Sequence, residues 1–170
     1  MKLICSLIIG ILLSINGFGQ TQTPKVEIYL LNHFVQPDKG TKRFTVTKSD
    51  LHENPLIEDI QIIRYDSVKF VYTIDTIVCP KLAALKPSLS NGIQFAITVD
   101  RKPIICGYFW NPVSSFGCDW FNIPVICRKE IKIYKGLPEY SNIDIPEMRN
   151  DSRLINAFIK SNRIVNQDKK

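Results

Sequence analysis

The sequence lacks the short motifs that identify the common enzyme classes. It contains no G-x-S-x-G, no H-E-x-x-H and no phosphate-binding glycine loop, so nothing indicates a nucleophile-elbow hydrolase, a zinc protease or a nucleotide site. It has two histidines, His33 and His52, and no feature ties either of them to a cysteine nucleophile. Acid pairs such as Glu58-Asp59 are common on solvated surfaces and do not indicate glycosidase chemistry. We therefore expect a protein that is not an enzyme and that has no catalytic, cofactor or metal residues.

Long apolar runs are also missing, apart from one at the start of the chain. Residues 3–15 are predominantly apolar, follow a single positive charge at Lys2, and precede small residues up to Gly19. This order is typical of a signal peptide, and the run is shorter than the about 20 residues that span a bilayer. We predict a signal peptide at residues 1–19, cleaved near Gly19-Gln20, and export to the periplasm or the extracellular space.

The remaining residues, 20–170, have the length of a single domain, and without a second long apolar run we expect no transmembrane segment in the mature chain. Loss of Lys2 lowers the formal net charge from +6 to +5. Acidic and basic residues are interspersed except in a basic C-terminal tail at about 165–170. A solvated tail is favoured over a nucleic-acid or membrane patch, so no nucleic-acid partner is expected.

Runs of β-branched and aromatic residues between turn residues predict a single α+β domain of antiparallel hairpins. The predicted strands cover residues 26–31, 60–65, 68–74, 93–99, 103–110, 121–127 and 130–134. Two or three helices are expected, including a C-terminal one, and the predicted helical segments are 45–55, 75–87 and about 151–164. Thr47 or Ser49 would cap the first, Asp75 or Thr76 the second and Asn150 the last.

The stretch GYFWNPVSSFGCDWF, residues 107–121, is rich in aromatic residues. In a strand that ends at Trp110, alternate residues face the same side, and Asn111-Pro112 then breaks the strand. The pattern predicts a hairpin whose base lies in the core and whose tip, residues 113–117, is exposed. An exposed aromatic at a loop tip is typical of a contact surface. The candidate partner-binding residues are Phe116, Ser115, Val113 and Trp120.

Four cysteines remain after the signal peptide, and no two of them form a C-x-x-C motif. An even number in an exported chain suggests disulfides, while buried free thiols, which behave as small hydrophobes, are the alternative. Across the base of the predicted hairpin, Cys106 could pair with Cys127, or with Cys118. We expect at most one disulfide, and it would be one of these two.

Part of the chain resembles a known family. The segment SDLHENPLIEDIQIIRYDSVKFVYTIDTIVCPKLAALKP, followed by GIQFAITVDRKPI, resembles the periplasmic head subdomain of the SecD and SecDF protein-export factors, over about residues 49–105. Arg101 stands where that family usually has glycine, and the family's transmembrane helices have no counterpart. The whole chain also resembles small exported proteins of Gram-negative bacteria. The resemblance implies the fold of that subdomain and the binding of peptides, and it transfers no catalytic residue.

The expected function is therefore that of an exported, non-catalytic module that binds a protein or peptide. An enzyme inhibitor or immunity-type protein, acting through the 107–121 loop, is the alternative. An enzyme of unrecognised type is a third, less favoured hypothesis. The sequence does not predict an oligomeric state.

Overall fold

Two β-sheets and two α-helices build the fold, which the computed structural model describes for residues 22–126, 128–138 and 144–165. The predicted signal peptide, Cys127 and the end of the basic tail lie outside these described residues. The strands are β1 (Val26–Leu30), β2 (Ile62–Asp66), β3 (Val71–Ile74), β4 (Ile93–Val99), β5 (Lys102–Trp110), β6 (Cys118–Pro124), β7 (Glu130–Lys132), β8 (Tyr134–Leu137) and β9 (Ile164–Val165).

The larger sheet has the strand order β1-β4-β5-β6-β8, and the smaller sheet has the order β7-β3-β2-β9. Most neighbouring strands are antiparallel, including the predicted hairpins β2–β3 and β4–β5. The parallel pairs are β5–β6 and β2–β9. The prediction of a mixed fold with mostly antiparallel strands is therefore confirmed.

The predicted hairpin at residues 107–121 is wrong. Strands β5 and β6 run parallel, with Tyr108 opposite Asn122 and Trp110 opposite Pro124. Because both strands end at the same edge of the sheet, residues 111–117 must carry the chain back to the start of β6. Two parallel neighbouring strands are usually joined by a connection of a dozen or more residues. The connection between Trp110 and Cys118 is shorter than that, and for this reason the sequence predicted an antiparallel hairpin.

The two helices are α1 (Cys79–Ala84) and α2 (Ser152–Lys160). A 3-10 turn precedes α1, and its predicted cap is confirmed because the Asp75 carboxylate accepts a hydrogen bond from the Ile77 amide at 3.0 Å. Asp151, not Asn150, caps α2 by accepting from the Arg153 amide at 2.9 Å. The helix predicted at residues 45–55 is only a 3-10 turn, Lys48–Asp50. Among the described residues, no helix is long and apolar enough to cross a membrane.

The core lies on the inner face of the larger sheet. Phe95 and Phe109 of the hairpin β4–β5 are fully buried there, with ring centroids 4.8 Å apart. Helix α2 contacts β1 and β4, and its Phe158 ring stacks on Tyr65 of the smaller sheet at 5.1 Å. The helix also contacts β9, so it packs against strands of both sheets.

An irregular segment covers the outer face of the larger sheet, and we call this segment, residues 33–46, the strap. Its Val35 amide donates to the Gln94 side-chain oxygen at 2.8 Å, and its Lys42 carbonyl accepts from the Tyr108 hydroxyl at 3.0 Å. Its Phe44 ring packs edge-on against Tyr108 at 5.1 Å. Both faces of β4 and β5 are consequently buried.

Candidate functional site

The connection between β5 and β6 exposes apolar side chains, as predicted. Val113 is 81% exposed and Phe116 is 56% exposed, and Ser115 between them is also exposed. Trp120 is different, because only 6% of its surface is exposed. It lies within β6, and the Arg43 guanidinium of the strap lies 5.5 Å from its ring centroid. The prediction that Trp120 belongs to the exposed contact surface is wrong.

Side-chain hydrogen bonds hold the connecting loop in a defined conformation. The Asn111 side chain accepts from the Val113 amide at 3.1 Å and donates to the Pro87 carbonyl at 3.2 Å. The Ser114 hydroxyl accepts from the Phe116 amide at 3.1 Å and donates to the carbonyl of Leu89. Asn and Ser side chains commonly fix turns in this way. The loop is therefore anchored internally and to the neighbouring loop that precedes β4.

That neighbouring loop adds a third exposed apolar residue. Leu89 is exposed, and its carbonyl is the group that Ser114 binds. We define the apolar patch as Leu89, Val113 and Phe116. Sequence reasoning missed Leu89, although a leucine flanked by serines in a loop, outside any helix or strand period, is a recognisable signal.

Two shallow depressions flank the connecting loop. The first, of about 340 Å³, lies between the end of α1 and the start of the loop, and it is lined by Ala83, Leu85, Lys86, Pro87, Asn111, Pro112 and Val125. The second, of about 430 Å³, lies between the strap and the end of the loop, and it is lined by Gly40, Thr41, Lys42, Gly117, Cys118, Asp119, Leu137 and Pro138. A partner that contacts the patch could therefore also fill space on both sides of it.

The charged groups beside the patch are mainly basic. Lys86 lines the first depression and Lys42 the second. The Lys42 ammonium lies 5.1 Å from the Trp110 ring centroid and 3.4 Å from the Ser90 carbonyl. The Asp119 carboxylate also lines the second depression and accepts a hydrogen bond from the Lys42 backbone amide at 2.8 Å. The site therefore presents an apolar centre with two lysines and one aspartate at its margin.

The cysteines do not form the predicted disulfide, because Cys106 and Cys118 are free, buried thiols. Continued by two residues, the parallel register places Trp120, not Cys118, opposite Cys106. Burial raises the pKa of each thiol to about 11, so both are protonated at neutral pH. Cys79 is disulfide-bonded. Neither buried thiol has the thiolate character that a nucleophile needs.

One of the two histidines has an acidic partner. His33 Nε2 lies 3.4 Å from an Asp50 carboxylate oxygen, and this pair is at the surface. Within the described part of the chain, no group of three or more His, Cys, Asp or Glu side chains could hold a metal ion.

No protein-family model, curated protein or solved structure matches this chain. The resemblance of residues 49–105 to the SecD and SecDF head subdomain stays a prediction, and the residues of the apolar patch lie partly outside it.

Proposed function

We propose that the protein is an exported, non-catalytic module that binds another protein or a peptide through the apolar patch. The observation that carries this proposal is the exposure of Val113 and Phe116 in a loop that four side-chain hydrogen bonds hold in place. Single exposed apolar residues are common on soluble proteins. Three neighbouring ones on two loops tied together, with depressions on either side, are typical of an interaction surface.

The fixed loop conformation supports tight binding. Ordering a flexible loop costs conformational entropy when a partner binds, and a loop that is already ordered avoids that cost. The Asn111 and Ser114 side chains supply this order without using Val113 or Phe116. Those two side chains are therefore left for the partner.

The margin of the site indicates the chemistry of the partner. Lys42 and Lys86 favour carboxylates, and the patch favours an apolar side chain. We infer a partner segment that presents an apolar side chain with acidic residues beside it. Such a segment could belong to a folded protein or to an extended peptide.

The proposal is tested by capture from a periplasmic extract with the immobilised mature protein, comparing wild type with Phe116→Ala. Interface aromatic hot spots are worth about 2 kcal/mol or more, so we expect capture to weaken by at least about tenfold. Phe34→Ala is the matched control, because Phe34 is similarly exposed and lies outside the patch. Equal capture by wild type and Phe116→Ala would contradict the proposal.

An inhibitor or immunity-type protein is the second candidate, favoured by the rigid anchoring of the loop. A preformed loop with an apolar tip can fill the active site of one target enzyme. In that case the same capture yields one partner in a stoichiometric complex, whereas a general binding module yields many weakly held proteins. The ratio of captured partner to bait distinguishes the two functions.

A further inference from the structure

The loop that carries Leu89 also contains an asparagine followed by a glycine. Asn91 is exposed, and Gly92 joins it to the start of β4. After the predicted signal peptide, this is the only Asn-Gly pair in the sequence. The main-chain nitrogen that follows an asparagine can attack the asparagine side chain, and glycine, which has no side chain, hinders this attack least.

The fold binds the main chain of Asn91 and leaves its side chain free to react. The Ser88 hydroxyl accepts a hydrogen bond from the Asn91 main-chain amide at 2.9 Å and donates one to the Asn91 carbonyl at 3.0 Å. The Asn91 carboxamide forms no hydrogen bond with any of the residues that the structure describes. It can therefore turn toward the following nitrogen without breaking a contact.

The main-chain amide of Gly92 points away from the neighbouring strand β5. Trp110 directs its carbonyl toward β6, where it accepts from the Val125 amide at 2.9 Å. Main-chain groups of successive residues in a strand point to opposite sides, so Phe109 directs its groups toward Ile93 of β4, its partner in the register. Gly92, which precedes Ile93, therefore directs its amide to the other side of β4.

That other side of β4 is open to solvent at Gly92. Strand β1 ends at Leu30, opposite Phe95, and Gly92 lies beyond that end. It lines a shallow depression of about 360 Å³ together with residues 31–34. Within the described part of the chain, the Gly92 amide has no hydrogen-bonding partner. Water can therefore reach this amide and accept its proton.

The packing of β5 against the loop requires glycine at position 92. A Cβ atom on Gly92 would come within 2.6 Å of the Tyr108 Cβ and within 2.8 Å of the Phe109 carbonyl oxygen and the Trp110 ring. Contacts this short are sterically forbidden. The core therefore keeps beside Asn91 the residue that most favours the attack.

We propose that Asn91 is a site of spontaneous deamidation. The Gly92 nitrogen attacks the side-chain carbonyl carbon of Asn91, a C–N bond forms, and the side-chain nitrogen leaves as ammonia with the proton that Gly92 loses. Solvent water then opens the five-membered succinimide at either carbonyl and gives aspartate or isoaspartate. The net change replaces an amide by a carboxyl group, so residue 91 gains a negative charge at neutral pH.

The new charge changes the margin of the apolar patch, a consequence that rests on the proposed function. Residue 91 follows Ser90, whose carbonyl lies 3.4 Å from the Lys42 ammonium, and it shares a loop with Leu89. A carboxylate at this position competes with the acidic side chains of a partner for Lys42. Deamidation therefore weakens the binding of an acidic partner as the protein ages.

Peptide mapping of the mature protein after incubation at mildly alkaline pH tests the chemical step. Trypsin releases residues 82–101 as one peptide, in which Asn91 is the only asparagine. We expect this peptide to convert to aspartyl and isoaspartyl products at a rate that rises with hydroxide concentration. Asn54 and Asn111 are internal controls that should stay amidated, because the prolines that follow them have no N–H.

The native rate is compared with that of the chain unfolded in guanidinium chloride. Because neither reacting group has to leave a contact, the two rates should agree within about tenfold. Asn91→Gln lengthens the side chain, disfavours ring closure and should show no conversion at this position. A native Asn91 that stays amidated while the unfolded chain converts would overturn the proposal. An aspartyl product without isoaspartyl would also overturn it, since only the succinimide yields both.

Capture from the periplasmic extract tests the consequence for binding. Asn91→Asp should hold the captured partner about two- to fivefold more weakly than Asn91→Gln, as expected for one exposed charge pair, and high salt should remove the difference. Equal capture by these two variants, with capture still lost in Phe116→Ala, would exclude the charge effect and leave the proposed function standing. Equal capture by wild type and Phe116→Ala would instead exclude the proposed function, and the peptide map alone then decides the deamidation.

Discussion

Trp110 and Phe116 are close in sequence and have opposite environments. Trp110 ends β5 and is buried beneath the strap, where its ring faces the Lys42 ammonium. Phe116 projects from the loop, and its backbone amide, not its ring, is what holds it in place. Aromatic content alone cannot separate a core ring from a contact ring, and the position relative to the strand end does.

These environments predict opposite effects of truncation on stability. Trp110→Ala should lower the free energy of unfolding by about 3–5 kcal/mol, because it leaves a large cavity in the packed outer face. Phe116→Ala should change it by less than about 0.5 kcal/mol, as for most surface substitutions. Urea unfolding of the two variants measures the difference. If both midpoints fall equally, the loop tip is part of the core and the proposed binding surface fails.

At the scale of elements, the strap is the feature that sequence reasoning could not anticipate. Alternation correctly placed Cys106, Tyr108 and Trp110 on one face of β5, and the predicted bounds of β4 were confirmed. The strap has no regular secondary structure and therefore no periodic signal, yet it buries that second face. For this reason Trp120 was predicted at the surface and is buried.

The alternation of apolar and polar residues also could not predict the direction of each strand or the strand that lies next to it. Residues 130–134 were predicted as one strand, but β7 belongs to the smaller sheet and β8 to the larger. A period of two identifies which face a residue occupies and carries no information about its neighbour strand. At the candidate site, Val113, Ser115 and Phe116 could be recognised because turn residues flank them, and Leu89 could not be joined to them before the two loops were known to be hydrogen-bonded.

The position of the strap leads to a prediction about how fast the two buried thiols react. The backbone of Val46, the last residue of the strap, lies beside the Cys106 thiol, and Cys118 borders the depression beside Lys42. Their pKa of about 11 means that raising the pH from 7 to 9 increases the small thiolate fraction of each but leaves most of it protonated. We expect both to react slowly with a disulfide reagent in the native protein and fast in urea.

Variants that weaken the strap test this expectation. Gln94→Ala removes the side chain that binds the Val35 backbone. We expect this variant to speed the reaction of Cys106 in the native protein while lowering the urea midpoint only slightly, because the strap opens locally without global unfolding. Lys86→Ala, outside the strap contacts, is the control. Rapid native reaction of both thiols in the wild type would show that the strap does not protect them.

At the scale of the whole molecule, Arg149 connects parts of the chain that are far apart in sequence. It is buried, its guanidinium lies 3.6 Å from the Phe70 ring centroid, and it donates to the Ile133 carbonyl at 3.2 Å. Phe70 lies in the β2–β3 connection and Ile133 marks the point where the chain passes from one sheet to the other. Glu147 completes the group by accepting from Arg149 at 2.7 and 2.9 Å.

This ion pair predicts how stability responds to acid. The hydrogen bond from Arg149 holds the pKa of Glu147 below its usual value of 4.5. A carboxyl group whose pKa is lower in the folded state stabilises the fold fully above its unfolded pKa, and this stabilisation is lost as the pH falls through the folded value. We therefore expect the free energy of unfolding to fall below about pH 4.5. Glu147→Gln should be less stable than the wild type at pH 7, and the difference should shrink on acidification, as urea unfolding across the pH range would measure.

Asp151 also has a lowered pKa, but its partner is the exposed Arg153 of α2. Asp151→Asn is therefore the control for a local pair, and an unchanged gap between wild type and Glu147→Gln at every pH would show that the Arg149 contact does not depend on the ionised carboxylate.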